Sequence, residues 1–157
     1  MTRTGTGVRP AAIGLALTLL IAAAVAAPGM AQTPACTRAE FEAVVDDAAS
    51  ALRELNQTNK PTFQDKLRLL KDKRGWSHEV FLKEATPFVQ DDTITEFDGR
   101  SADLLNKITS MGQEGSVAKA PDCAMLAELH GHMKALVDVQ QAKWTYMFGK
   151  IDAAVAR

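Results

Sequence analysis

Two cysteines, Cys36 and Cys123, are the only ones in the 157-residue chain, and each stands at the start of a strongly periodic apolar segment. A disulfide needs its two Cα atoms roughly 5.5 Å apart. If both segments are helices and the thiols are joined, the helices must begin at the same end of the molecule and run roughly parallel. The closed loop of about 90 residues would stabilise the fold by roughly 4 kcal/mol in the chain-entropy model.

Residues 1–31 favour such a bridge, because they have the pattern of a secretory signal peptide. Arg3 and Arg9 precede an uncharged run over residues 11–27, and small residues follow it up to Ala31. The run is at the short end of what spans a bilayer. We therefore predict a cleaved signal peptide, no stable membrane anchor after cleavage, and a periplasmic or secreted protein in an oxidising compartment.

The remaining chain, residues 32–157, has the length of a single domain. The whole sequence is 46% hydrophobic and 24% charged, which is ordinary for a folded soluble domain. None of its 19 acidic residues lies within 1–31, so the rest is mildly acidic. This balance gives no general reason to expect binding to nucleic acid.

Apolar residues recur at spacings of three and four, which is typical of amphipathic helices. No stretch alternates with period two, so we predict an all-α bundle of four or five helices held by one disulfide. The predicted helices cover about 38–56, 62–74, 78–86, 93–111 and 123–155, with prolines between or at the ends of them. The pattern leaves open whether residues 78–111 form one helix or two, and it predicts a loop over 112–121.

Local signals support the predicted helix ends. Thr37 and Glu40 are spaced as a capping box, Gly75 follows a basic last turn, and Asp122 can cap the last helix. Short connections favour antiparallel neighbours. A parallel first and last helix therefore requires an odd number of traverses between them, and three are predicted.

The most distinctive short motif is His130-Gly131-His132-Met133. Imidazole and thioether ligands suit copper, and a bundle could also bind haem through such side chains. His130 and Met133 share a helix face, whereas His132 points elsewhere. His78 is the other available imidazole. The metal candidates are therefore His130, Met133 and His78. We nevertheless expect His130 at the edge of the core and His132 in solvent. We predict no cofactor.

A basic segment ends the second predicted helix and leads into a tryptophan. Such a face could contact anionic lipid or an acidic partner. The alternative is that acidic residues further along the chain, at 91–98, neutralise it internally. The possible interaction surface consists of Lys66, Arg68, Lys71, Lys73, Arg74 and Trp76.

The sequence contains no recognised catalytic motif, since it lacks a phosphate-binding glycine loop, a nucleophile elbow and a zinc-protease pattern. We therefore predict a small exported helical protein that binds a partner protein or a component of the bacterial envelope and has no enzymatic activity. Two alternatives stay open: a metal- or haem-binding bundle using His130 and Met133, and an enzyme whose acid and base residues meet only in the fold.

Overall fold

The computed structural model describes residues 36–118 and 122–157, and within these ranges it contains four α-helices and no strand. They are α1 (Arg38–Arg74), α2 (His78–Glu84), α3 (Asp92–Val117) and α4 (Cys123–Ala156), with a short 3-10 helix (Thr86–Phe88) between α2 and α3. The prediction of an all-α fold is confirmed. The predicted signal peptide, residues 1–31, lies outside the described residues.

A disulfide joins Cys36 to Cys123, with their Cα atoms 5.3 Å apart. The first turns of α1 and α4 are therefore neighbours. Near the opposite ends of the same helices, the ammonium group of Lys66 on α1 pairs with the carboxylate of Asp152 on α4. The two helices consequently run parallel, as the cysteine positions predict.

The third long helix, α3, runs antiparallel to α4. The amide of Gln140 donates a 2.7 Å hydrogen bond to the hydroxyl of Ser101 near the middle of α3. Lys150, further along α4, pairs instead with Asp91 at the start of α3. One long helix, α3, thus connects the two parallel helices, instead of the three helices predicted. The number of intervening traverses is still odd, as a parallel first and last helix requires.

The predicted break between residues 56 and 62 is wrong, because α1 continues through Pro61. A proline inside a helix removes one backbone hydrogen bond and costs about 3 kcal/mol. Tertiary packing offsets this cost here. Ala48 before the proline and Phe63 after it are both buried in cores to which α4 contributes, so both halves of α1 pack along the same partner.

The predicted loop after residue 111 begins later than expected, since α3 continues to Val117. Gly112 and Gly115 lower helix propensity, but Gly115 lies where an added Cβ would be 3.5 Å from the sulfur of Met125. The end of α3 therefore lies against the start of α4. The open question over 78–111 is also answered, because α2 and α3 are separate helices.

The helix ends follow the predicted local chemistry. The Thr37 hydroxyl accepts from the amide of Glu40, whose side chain accepts in return from the Thr37 amide. Gly75 ends α1 in the left-handed conformation with φ of 63°, which a residue without Cβ adopts at no steric cost. The side chain of Asp122 accepts from the first amides of α4.

The core is divided into two clusters along the bundle. The disulfide-end cluster consists of the buried residues Ala48, Leu129 and Met133. The far cluster, at the opposite end, consists of the buried residues Phe63, Leu70, Ile94, Met147, Ile151 and Ala154. Between the two clusters α4 buries Leu136 and Val139, and beside them Gln140 is hydrogen-bonded to Ser101 of α3.

Candidate interaction surface

The far end of the bundle carries a short helix that lies outside the core. After Gly75 the chain reverses, and the Ser77 hydroxyl accepts a hydrogen bond from the Val80 amide to start α2. α2 has only seven residues, and none of them is buried. Isolated helices this short are unstable in water and normally depend on tertiary packing. The position of α2 therefore rests on its caps and on a few partly buried contacts.

Apolar side chains are exposed on and around α2. Val80 is 43% exposed and Leu82 is 59% exposed, whereas Phe81 between them is half-buried. Val89, which follows the 3-10 helix, is also about half exposed. We call Val80, Leu82 and Val89 the α2 surface.

The sequence pattern contained a signal for this exposure. Val80, Phe81 and Leu82 are consecutive, and consecutive residues on a helix point about 100° apart. Three such side chains span an arc of about 200°, which is wider than a single packing face. One or two of them must therefore be exposed on a helix that packs on one side. The predicted interaction surface included Trp76 but missed Val80 and Leu82.

Three of the predicted basic residues contact α4 rather than forming a free face. Lys66 pairs with Asp152, and its ammonium group lies 5.9 Å from the centre of the Phe148 ring. Lys73 and Arg74 donate hydrogen bonds to carbonyl oxygens in the last turn of α4. Positive charge is favourable there, because the last carbonyl groups of a helix carry partial negative charge. These three cations fasten the ends of two parallel helices to each other.

The other three members of the predicted surface have separate environments. Arg68 pairs with Asp65 one turn earlier on α1, at 3.1 Å, and both side chains are well exposed. The ammonium group of Lys71 lies 6.0 Å from the centre of the Phe81 ring. Trp76 is half-buried and packs against the far cluster. The six residues therefore have different contacts, and their role as an interaction surface stays a prediction.

The predicted neutralisation of this basic segment by the acidic run is wrong for Asp91 and Asp98. Asp98 pairs with Lys143, and Asp91 pairs with Lys150, so both bind lysines of α4. The reason is topological. α3 is antiparallel to α4 and packs along it, which brings the acidic start of α3 beside the lysines in the second half of α4.

Asp91 is the most highly connected polar residue at the far end. Its carboxylate caps α3 by accepting from the Ile94 amide at 2.8 Å, and it also accepts from the hydroxyl of Tyr146 at 2.9 Å. The ammonium group of Lys150 donates both to Asp91 and to the carbonyl oxygen of Pro87. This network joins the 3-10 helix, the start of α3 and the last turns of α4.

Hydrogen bonding to the charged form stabilises the Asp91 carboxylate. The hydrogen bond from Lys150 contributes most, followed by that from the Ile94 amide, and together they lower the pKa of Asp91 from 3.8 to about 2. The network is therefore fully formed at neutral pH. Its role is to position the 3-10 helix, and with it the neighbouring α2, on the end of the bundle.

The metal candidates are not brought together. His130 is exposed on α4, Met133 is buried in the disulfide-end cluster, and His132 is half-buried, so the expected exposures of the two histidines are reversed. His78 begins α2, which follows the far end of α1, whereas His130 and Met133 lie in the half of α4 that starts at the disulfide. Within the described ranges, no three His, Cys, Asp or Glu residues are grouped to hold a metal ion.

A groove runs along one side of α1, and the described residues that line it all belong to that helix. It contains cationic, amide and apolar side chains, namely Ala49, Leu52, Arg53, Asn56, Gln57, Lys60 and Pro61. The polar part of this lining thus consists of two cations, Arg53 and Lys60, and two amides, Asn56 and Gln57.

We found no family model, no curated protein and no solved structure that matches this chain. In the part of the chain that the structure describes, no helix is both long and apolar enough to cross a bilayer. The α2 surface is consequently the feature that most needs a functional explanation.

Proposed function

We propose that this chain is an exported, non-enzymatic binding protein that contacts a partner protein of the bacterial envelope through the α2 surface. The proposal rests on α2, a helix that has no buried residue and that exposes Val80 and Leu82. An apolar group at the surface gains free energy when a partner removes it from water, by about 25 cal/mol per Å² of apolar area. Groups of exposed apolar side chains commonly mark protein interfaces.

The way in which α2 is attached supports this assignment. Several interactions hold this end of the bundle in place. Lys150 and Asp91 fix the 3-10 helix, and Lys71 contacts the ring of Phe81. A surface that is presented in a fixed position loses less conformational entropy when it binds. The exposed side chains are thus displayed on a supported element rather than on a chain end.

Export is supported by two independent features. Residues 1–31 have the charge and hydropathy pattern of a signal peptide, and the Cys36–Cys123 disulfide is typical of proteins that leave the reducing cytosol. We place the protein in the periplasm or outside the cell. A partner in the envelope follows from that location.

Site-specific photo-cross-linking in living cells tests the proposal. A benzophenone amino acid would replace Leu82 in one strain and Leu105 in a control strain, because Leu105 on α3 is also about half exposed but lies outside the α2 surface. We expect a discrete cross-linked band from position 82 that is absent from position 105 and is lost when Val80 is changed to Asp. Equal patterns at both positions, or cross-links only to a second copy of the chain, would contradict the proposal.

A further inference from the structure

The groove on α1 carries positive charge that no acidic residue of the described chain neutralises by direct contact. Arg53 and Lys60 are the charged residues of its described lining, and both are exposed. Arg53 donates a 3.1 Å hydrogen bond to the hydroxyl of Ser50. Among the described residues, neither cation pairs with a carboxylate, whereas ion pairs hold five other cations of this part of the chain. We call Arg53 and Lys60 the groove cations.

A second pair of cations with the same spacing, on α3, has a different environment. Glu96 lies four residues before Arg100, and Asp103 lies four residues before Lys107. Residues four apart are neighbours on a helix, and an acidic residue placed before a basic one is favourable. The residues three and four positions away from either groove cation are all uncharged. The charge of the groove cations is therefore less compensated within the chain, and a carboxylate from outside it can pair with them.

The spacing of the groove cations defines the shape of a matching ligand. They are seven residues apart, which places them on the same side of α1 and about 10.5 Å apart along its axis. Two amide side chains, Asn56 and Gln57, lie between them, and the partly buried Ala49 and Leu52 extend the groove with apolar surface. From Ala49 to Pro61 the lining covers about 18 Å of helix. A matching ligand has two anionic groups two helical turns apart and an apolar side.

We propose that this groove binds an amphipathic helix of a partner protein, in which two carboxylates seven residues apart pair with the groove cations. A helix that lies in a groove is anchored by its residues i, i+3, i+4 and i+7, so carboxylates at i and i+7 match the cations turn for turn. The apolar side of the same helix covers Leu52. The groove lies in the middle of α1 and shares no residue with the α2 surface, so this contact does not depend on the function proposed above.

Photo-cross-linking from inside the groove tests the proposal in cells that make the full chain. A benzophenone amino acid replaces Gln57, which is exposed and lies between the groove cations. The test variant is R53E/K60E. The matched control is R100E/K107E, which makes the same change of charge at the same spacing on α3. All four side chains are exposed, so both variants should unfold within a few degrees of the parent protein.

We expect a discrete adduct with another protein, whose cross-linked segment contains two carboxylates seven residues apart. A synthetic peptide of that segment should bind the mature protein. R53E/K60E should raise the Kd of this peptide by about 10- to 100-fold, because attraction at two exposed pairs becomes repulsion, and R100E/K107E should change it by less than about twofold. A peptide with both carboxylates changed to lysine should bind R53E/K60E and lose affinity for the parent protein.

Two results with the peptide would overturn the proposal. One is an equal effect of the two double variants on its Kd, and the other is failure of the lysine peptide to recover binding to R53E/K60E. An adduct with a second copy of the chain or with a lipid, or the absence of an adduct from position 57, would overturn it as well.

Discussion

The two ends of this bundle are stabilised by different means. At the far end, three helices bury Leu70, Ile94 and Ile151 almost completely, and ion pairs and backbone caps link the helices around them. At the other end, a smaller cluster lies beside a covalent bridge. The comparison shows how a disulfide can substitute for core volume in a small domain, because a limited core supplies little net stability.

The same comparison bears on function. The better-packed end is also the end that displays the α2 surface. Its exposed apolar side chains are not part of the core, so their exposure does not reduce core packing. A rigid support beneath an exposed element reduces the entropy that the element loses when a partner binds it. We therefore expect changes in the far cluster to affect both stability and binding, and changes near the disulfide to affect stability alone.

The largest effect should come from truncation of the far cluster. Leu70 is 0% exposed, and Leu70→Ala should lower the free energy of unfolding by about 3–5 kcal/mol, since it removes a buried side chain and leaves a cavity. The neighbouring Leu69 is 56% exposed, so Leu69→Ala should change stability by less than about 0.5 kcal/mol. Urea unfolding of both variants checks this contrast. Similar losses would mean that the far cluster is not the main core.

A stabilising change is expected at the boundary between the two ends. Pro61→Ala restores the backbone donor to the carbonyl of Gln57 and removes the ring from the helix interior. Greater flexibility of the unfolded chain opposes this gain by up to about 1 kcal/mol. We expect a net increase of about 1–2 kcal/mol in the free energy of unfolding. A decrease, measured by urea unfolding, would show that α1 needs a proline at this position.

Acid should weaken the far end through Asp91. The pKa of its carboxyl is lowered from 3.8 to about 2 in the folded protein, so this group contributes stability that is complete above about pH 4 and is lost as the pH falls through 2. Asp91→Asn should reduce stability at neutral pH and flatten its dependence on pH between 5 and 2. Urea unfolding across this range tests it. A variant with the same acid dependence as the parent protein would contradict the assignment.

The smallest effect is expected for an exposed ion pair. Arg68 and Asp65 lie one turn apart on α1, with side chains that are 69% and 70% exposed. Water screens such a pair, so Arg68→Ala should change the free energy of unfolding by less than about 0.5 kcal/mol. The matched change Arg74→Ala removes a donor to the end of α4 and should cost more. Equal effects in thermal unfolding would mean that Arg74 does not link the helices.

Local chemistry made the helix ends predictable from the sequence. The Thr37 and Glu40 capping box, the Gly75 stop and the Asp122 cap each involve residues within one or two turns, so spacing alone identifies them. The cysteine pair was also predictable, because two thiols allow a single pairing. The parallel course of α1 and α4 then followed from geometry.

Long-range packing could not be predicted in the same way. Nothing local indicates that packing on α4 outweighs the proline at position 61, or that Gly115 is a contact point rather than a helix end. The ion pairs of Asp91 and Asp98 depend on which helix lies beside α3. Exposure of Val80 and Leu82 could have been inferred from their arc on α2, but the position of the 3-10 helix beside α2 could not.

Hydrogen exchange along α4 tests the difference between the two ends most directly, because this one helix passes through both clusters. Amide protection would be measured over residues 126–137 and 144–155, before and after reduction of the disulfide. We predict that reduction removes most of the protection from 126–137 and leaves that of 144–155 nearly unchanged. Equal loss of protection over both segments would contradict the account.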